Sequence, residues 1–183
     1  GDNVATGYAL ADGKDLLPAP RLSWHNVSGA GGLYSSAHDM SRWMRLQLAG
    51  GAYRDAEGNE QRLFAEKTQL QMWSAITPMP IAQPSVLELS PARPNFLAYG
   101  QGWTLSDYRG HKLVWHTGGW PGMVSRLTLL PEHKLGVVVL TNAELGGAFH
   151  AITLRALDAY LDVPKTDWNA AYGMALAKSR EKA

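Results

Sequence analysis

The sequence predicts an α+β fold, an antiparallel β-sheet with a C-terminal helix packed on one face. Three observations carry that expectation. Residues 98–107, 111–117, 123–130 and 135–142 each have strand composition. They are joined by Tyr108-Arg109-Gly110, by the loop Thr117–Gly122 and by Pro131-Glu132-His133-Lys134, connections short enough to make neighbours antiparallel. A helix over about 147–161 then offers Phe149, Ile152, Ala156, Leu157 and Tyr160 to the sheet at helical spacing.

The remaining elements follow in chain order. Residues 4–11 form a short strand closed by the turn signal Asp12-Gly13, and a loop with Pro18 and Pro20 runs on into Gly29-Ala30-Gly31-Gly32. A helix over 37–49 is capped by Ser36 with Asp39, carries Met40, Met44 and Leu48 on one face with Trp43 alongside, and stops at Gly50-Gly51. Arg54 to Gln61 is polar and turn-like, and a second helix covers about 65–75. Five prolines and no clear period make 77–96 an irregular surface excursion. Leu135 to Leu140 is apolar on both parities except at Gly136, the mark of a strand covered on both faces. Beyond Val163-Pro164 a weaker helical stretch ends in Lys178, Arg180 and Lys182. It looks like the start of a linker, so the expected division is a domain over 1–163 and a connector over 164–183.

Composition narrows the function classes. With 17 basic and 16 acidic residues the formal net charge is +1, without a run of like charge, so nucleic acid is not an expected partner. No apolar run reaches the length of a membrane span. The absence of cysteine removes disulfides, thiolate metal sites and a cysteine nucleophile. Seven Trp fit a bulky core, with Trp120, inside the central loop, placed to touch a substrate.

The chemistry concentrates in His116-Thr117-Gly118-Gly119-Trp120-Pro121-Gly122. Strand parity puts Lys112, Val114 and His116 on one side, and the two glycines allow close backbone approach. A strand that ends in glycines at a sheet edge presents N–H groups, which is how an oxyanion is held. The bland alternative is the Gly-rich turn of a long hairpin with His116 at a strand tip. His111 and His116 fall on opposite faces and share no metal; His25, His38, His133 and His150 sit in unrelated contexts, and no His-Glu-x-x-His run occurs. No metal or cofactor is expected. Gly29–Gly32 lacks the ending of a phosphate loop, and Gly-x-Ser-x-Gly is absent.

Several segments in register carry a family resemblance: Gly31-Gly32-Leu33-Tyr34-Ser35-Ser36 with Asp39, Tyr99-Gly100-Gln101-Gly102-Trp103, His116-Thr117-Gly118-Gly119 with Pro121-Gly122, Leu130-Pro131, and Leu140-Thr141-Asn142. Over most of residues 29–161 the chain resembles the serine hydrolases that include class C β-lactamases, penicillin-binding proteins and related esterases. The resemblance implies a five-stranded sheet of which the last three strands lie here, giving a partial β-lactamase/transpeptidase-like fold. It also implies that His116 and Thr117 act on the substrate and the nucleophile's proton network. Gly118 and Trp120 would contact substrate, and the Gly119 N–H would be half of the oxyanion hole.

The family's Ser-x-x-Lys motif, which supplies the nucleophile, matches only Ser179-Arg180-Glu181-Lys182 in the charged tail, a chance match, and no Tyr-x-Asn or Ser-x-Asn occurs. The expectation is therefore the C-terminal part of a serine hydrolase, inactive alone, whose nucleophile lies in a missing N-terminal half. The resemblance also implies a small-molecule or peptide substrate, a periplasmic or secreted setting, and a further C-terminal domain reached through the connector at 164–183. His in place of the family's Lys at 116 leaves only about a quarter of unperturbed imidazole charged at pH 7, which favours an esterase- or peptidase-like parent over a β-lactamase. An apolar edge at 135–142, left without its front-half partner, predicts a homodimer. Two rivals remain: a catalytically inactive peptide- or glycan-binding module, and a structural fragment without activity.

Overall fold

The computed structural model describes residues 3–11, 15–23 and 25–181. Its strands are β1 (Tyr8–Ala11), β2 (Asp15–Pro18), β3 (Ala52–Arg54), β4 (Glu60–Arg62), β5 (Thr77–Pro78), β6 (Leu97–Tyr99), β7 (Thr104–Tyr108), β8 (His111–Trp120), β9 (Met123–Leu130) and β10 (Leu135–Thr141). Its α-helices are α1 (Ser28–Gly31), α2 (Ala37–Leu48), α3 (Glu66–Met72), α4 (Gly146–Leu161) and α5 (Trp168–Arg180). The main sheet has six antiparallel strands in the order β10-β9-β8-β7-β6-β5, so the fold is the expected mixture of helix and antiparallel sheet.

The details differ from the sequence reading in places. The single strand expected over 98–107 is two strands, β6 and β7. The chain reverses between them at Gly100–Trp103, with the Gly100 N–H donating to the Trp103 carbonyl at 2.8 Å and Gly102 at φ 76°. With β5 added from the proline-rich excursion, six strands stand where the resemblance implied three. Arg54 to Gln61 is less a loop than a hairpin, β3 pairing β4. The excursion itself is tied down by Asp107, whose carboxylate accepts from the Asn95 backbone N–H and side-chain amide at 2.6 Å each and from the Phe96 N–H at 3.1 Å. The turn expected at Asp12-Gly13 lies outside the described residues, although β1 and β2 on either side of it pair antiparallel.

Two hairpin turns show how local sequence sets the register. Arg109 and Gly110 both have positive φ, 54° and 86°, the two-residue reversal that matches strand twist, and they pair Tyr108 with His111. Pro121 fixes the next turn and Gly122 takes φ 76°, pairing Trp120 with Met123.

The sheet is covered on both faces. Val114, Leu127, Leu129, Leu105, Trp103 and Trp73 bury against Met44 of α2, and Gly136 is where the strand passes under Met44. Ser36 caps α2 as its spacing predicts, accepting from the Asp39 N–H at 3.1 Å. On the other face Tyr108, Leu113 and Leu130 pack with Ala151, Leu154 and Leu157 of α4 and with Trp168 and Ala171 of α5. β10 is thus covered on both faces, as its apolar run implies, and its outer edge from Leu135 to Thr141 has no strand partner among the described residues. The buried Asp158 carboxylate joins three elements, accepting from the Tyr108 hydroxyl of β7 and from the Trp168 indole N–H at 2.7 Å.

Arg126 of β9 is a buried cation on this second face. Its guanidinium donates to Thr128 Oγ1 at 2.9 Å and to His150 Nδ1 at 3.0 Å, and lies 4.1 Å from the Trp115 ring centre. None of these is a carboxylate. Burial lowers the Arg126 pKa to about 10, so it keeps its proton at pH 7, and His150 must present Nδ1 as a lone pair. Burial, and then the Arg126 charge, push His150 down to about 4. Its ring stacks on Tyr172 of α5 at 5.5 Å.

The consequence for acid stability has a definite sign. Below its unfolded pKa of ~6.5 the His150 ring takes a proton in the unfolded chain but not in the folded one, so stability falls with pH until about pH 4. The loss amounts to about 2–3 kcal/mol over that window. Thermal melts from pH 7 to pH 4 check this. His150→Asn, which keeps an acceptor for Arg126 and removes the titrating ring, flattens that part of the profile.

Candidate active site

The site grows out of the length of β8. Its ten residues pair with β9 as far as the hairpin tip, but β7 ends at Thr104, opposite Trp115. The antiparallel ladder alternates, so each residue of a strand bonds to one neighbour only. Tyr108 and His111 close one turn, so His111, Leu113 and Trp115 bond to β7. Trp120 and Met123 close the other, so His116, Gly118 and Trp120 bond to β9. Thr117 and Gly119 are left turning their N–H and C=O groups toward the side where β7 has stopped. Gly119 itself is exposed, and a Cβ on it would meet nothing within 4 Å, so the backbone there is uncrowded.

Side chains alternate the other way. His116, Gly118 and Trp120 share the α2 face, and Thr117 lies on the opposite face, paired across from Arg126. His116 is exposed, with its Nε2 3.0 Å from the Tyr99 hydroxyl and the two rings edge to face. A Cβ on Gly118 would stand 2.6 Å from Ser125 Oγ, a contact that rotation of the Ser125 side chain relieves. The structure therefore brings His116 and Trp120 to one face of a strand whose free backbone edge runs through Gly119, and it turns the Thr117 side chain away from them.

Trp120 closes a cleft of about 290 Å³ whose walls include Thr6, Gly7, Arg21, Tyr34 and Pro121. Tyr34 meets Trp120 edge to face at 5.6 Å. The opposite wall is the N-terminal segment, strapped across the hairpin tip: the Tyr8 N–H points to the carbonyls of Gly122 and Asn142, 2.9 Å from each, and Asn142 Nδ2 donates to the Thr6 carbonyl at 3.1 Å. Backbones approach so closely there that a Cβ on Gly122 would stand 2.5 Å from Gly7 C and Tyr8 N.

Tyr99, Tyr34 and the strap were not singled out as site residues from sequence. Tyr99 and Tyr34 lie inside runs quoted for the resemblance, so that signal existed; the strap had none, because its contacts span more than a hundred residues. One histidine reading is corrected. His133, placed in an unrelated context, lies with its Nε2 3.2 Å from His111 Nδ1, since the β7–β8 and β9–β10 turns meet at the same end of the sheet. Ser179 of the chance Ser-x-x-Lys match sits exposed in the last turn of α5, donating to the Leu176 carbonyl at 2.8 Å, and Lys182 lies outside the described residues.

An antiparallel sheet between a front helix and two rear helices, with a His-Thr-Gly-Gly strand end beside a cleft, is the architecture of penicillin-recognising and related serine hydrolases. The sequence matches the β-lactamase family over residues 1–161, and the chain belongs to that family. It is 27% identical over 178 residues to an unguisins hydrolase of Aspergillus campestris, which covers 94% of this chain and 30% of the relative. It is likewise 27% identical over 180 residues to an unguisins hydrolase of Aspergillus violaceofuscus, covering 92% of this chain and 31% of the relative. The octameric penicillin-binding protein homologue from Pyrococcus abyssi superposes with a TM-score of 0.70 at 23% identity, over 89% of this chain and 32% of that one. The chain thus spans under a third of the length of each of these proteins.

The strap gives a local test. Gly122→Ala puts a side chain at positive φ against the Gly7 backbone. Hydrogen exchange at the Tyr8 amide is expected to rise toward the unprotected rate, while the Leu127 and Leu129 amides keep their protection.

Proposed function

We propose that this chain is the C-terminal part of a serine hydrolase that works through an acyl-enzyme, with the nucleophilic serine and its lysine outside this sequence. The observation that carries the reading is the backbone edge at Gly119, left without a partner strand where β7 stops, on the strand that also presents an exposed His116. In the reaction, the serine Oγ attacks the substrate carbonyl and its proton passes to a base of the missing part. The oxyanion that forms is held by the Gly119 N–H and by the serine's own N–H, the leaving group departs protonated, and water then hydrolyses the acyl-enzyme. His116, held by Tyr99, lines the wall opposite the serine and donates or accepts at the substrate. Trp120 and Tyr34 supply an apolar floor for the acyl or leaving group. Thr117 contributes its backbone edge, since its side chain faces away.

Imidazole in place of an ammonium at 116 supports an ester or peptide substrate over a β-lactam. Both fungal relatives are named as unguisins hydrolases, which supports hydrolysis as the reaction class. A periplasmic or secreted setting belongs to the same proposal. So does association through the outer edge of β10, either with the front half of the domain or, in its absence, with a second copy of the chain.

Covalent labelling by a fluorescent serine-directed acylating probe tests the reading. The chain alone is expected to remain unlabelled, and the longer parent, or the chain combined with the parent's front half, to label at a serine outside residues 1–183. In the labelled form His116→Ala lowers ester kcat/KM by about 100-fold or more. Labelling of this chain by itself would contradict the proposal. A demonstrably associated complex that never labels would favour the inactive binding module.

Light scattering of the chain alone is expected to give a dimer that Leu140→Lys, on the exposed β10 edge strand, dissociates. A concentrated sample that stays monomeric would remove the edge-pairing proposal and leave the catalytic one untouched.

A further inference from the structure

At the end of β8 remote from Gly119 stands a second group of convergent side chains that hydrolysis does not use. His111 opens β8, and Glu132 and His133 belong to the turn that joins β9 to β10. His111 Nδ1 is 3.0 Å from Glu132 Oε2 and 3.2 Å from His133 Nε2, and all three atoms lie within 4.8 Å of one another. The two imidazoles meet at 74° with ring centres 4.7 Å apart. Five residues of strand, about 17 Å, separate His111 from His116, so the group is independent of the reading given to the cleft.

Protons serve this trio poorly. Nδ1 of His111 faces two partners and carries at most one hydrogen. If it holds the hydrogen, one N–H must be divided between the Glu132 carboxylate and the His133 ring. If it does not, His133 can donate to it, but the Glu132 oxygen then faces a lone pair. A cation that accepts all three lone pairs removes the conflict.

We propose that His111, Glu132 and His133 form a binding site for a single divalent transition-metal ion of the zinc class. Tetrahedral bonds of about 2.0–2.1 Å place neighbouring ligand atoms about 3.3 Å apart. Two of the three separations already stand close to that value, and the half-exposed Glu132 side chain is free to swing in and close the third. Two imidazoles and one carboxylate select zinc, nickel or copper over magnesium or calcium, which prefer oxygen ligands throughout. Water takes the fourth position.

Two features hold the ligands in place. Lys134 adopts a left-handed conformation at φ 50° that ends the turn directly after His133, and Tyr160 of α4 packs edge to face on the His133 ring at 5.8 Å. A bound ion therefore clips the β7–β8 turn to the β9–β10 turn and fixes the end of the sheet opposite the cleft.

The test is zinc titration of the tag-free, chelator-treated chain by calorimetry, with cobalt absorption as a direct report of ligation and a thermal melt as the stability readout. One ion per chain is expected, with cobalt giving the intense visible bands of four-coordination. At a hundredfold excess over Kd the melting temperature is expected to rise by about 5–10 °C. Loss of even an outer-shell partner weakens metal sites by about 10–100-fold, so His133→Gln and Glu132→Gln should weaken zinc at least that much. Glu132 is exposed, so the second variant folds even if the first does not. His38→Gln, on the exposed side of α2, should bind as the parent does. Failure to bind zinc at millimolar concentration would overturn the proposal. So would unchanged affinity in Glu132→Gln and His133→Gln, or calcium binding as tightly as zinc.

Discussion

The rest of the molecule depends on the mismatch in length between β8 and β7. One strand of ten residues is bonded along one side to its tip and along the other only as far as Trp115. A strand that outruns its neighbour keeps its geometry from the side that is still paired while its free side offers N–H and C=O groups to whatever lies there. A rigid, preorganised donor costs nothing to reorganise when negative charge develops beside it, which is why such an edge suits acyl transfer. Glycines at 118 and 119 leave this tip exposed, and a Cβ on the second would meet nothing within 4 Å.

What holds that extended tip in place is spread widely in the sequence. The N-terminal strap bonds to Gly122 and Asn142, so the first described residues of the chain reach the ends of both β8–β9 and β10. On the rear face, Arg126 stands across from Thr117 and is fixed by His150 and Trp115. A buried guanidinium with neutral partners is a costly choice for stability alone. Here it is shared by β8, β9 and α4, and it locks the strand pair just behind the site.

The parts of this arrangement that were legible in sequence are the local ones. Ser36 and Asp39 announced the start of α2, the Pro121-Gly122 and Arg109-Gly110 turns announced antiparallel neighbours, and the apolar run at Leu135–Leu140 announced a strand covered on both faces. The division of 98–107 was missed although Gly100-Gln101-Gly102 carries a turn signal. The reason is that the point where β6 turns back is set by its packing under the end of α3, where the Gln101 N–H donates to the Met72 carbonyl at 3.0 Å. Both parity and motif pointed to His116, but the Tyr99 hydroxyl comes from a strand two removed in the sheet and became visible only with the register. The same holds for His111 and His133: one lies in a strand and the other in a turn, and sequence gave no reason to join them.

The account rests most directly on which amides of β8 are bonded, and residue-resolved hydrogen exchange reads that without any substrate. It predicts that the Thr117 and Gly119 amides exchange rapidly while Trp115, His116 and Gly118 are protected. Protection at Gly119 equal to that at Gly118 would mean that the edge is already occupied, and the wall proposed for the oxyanion would not exist.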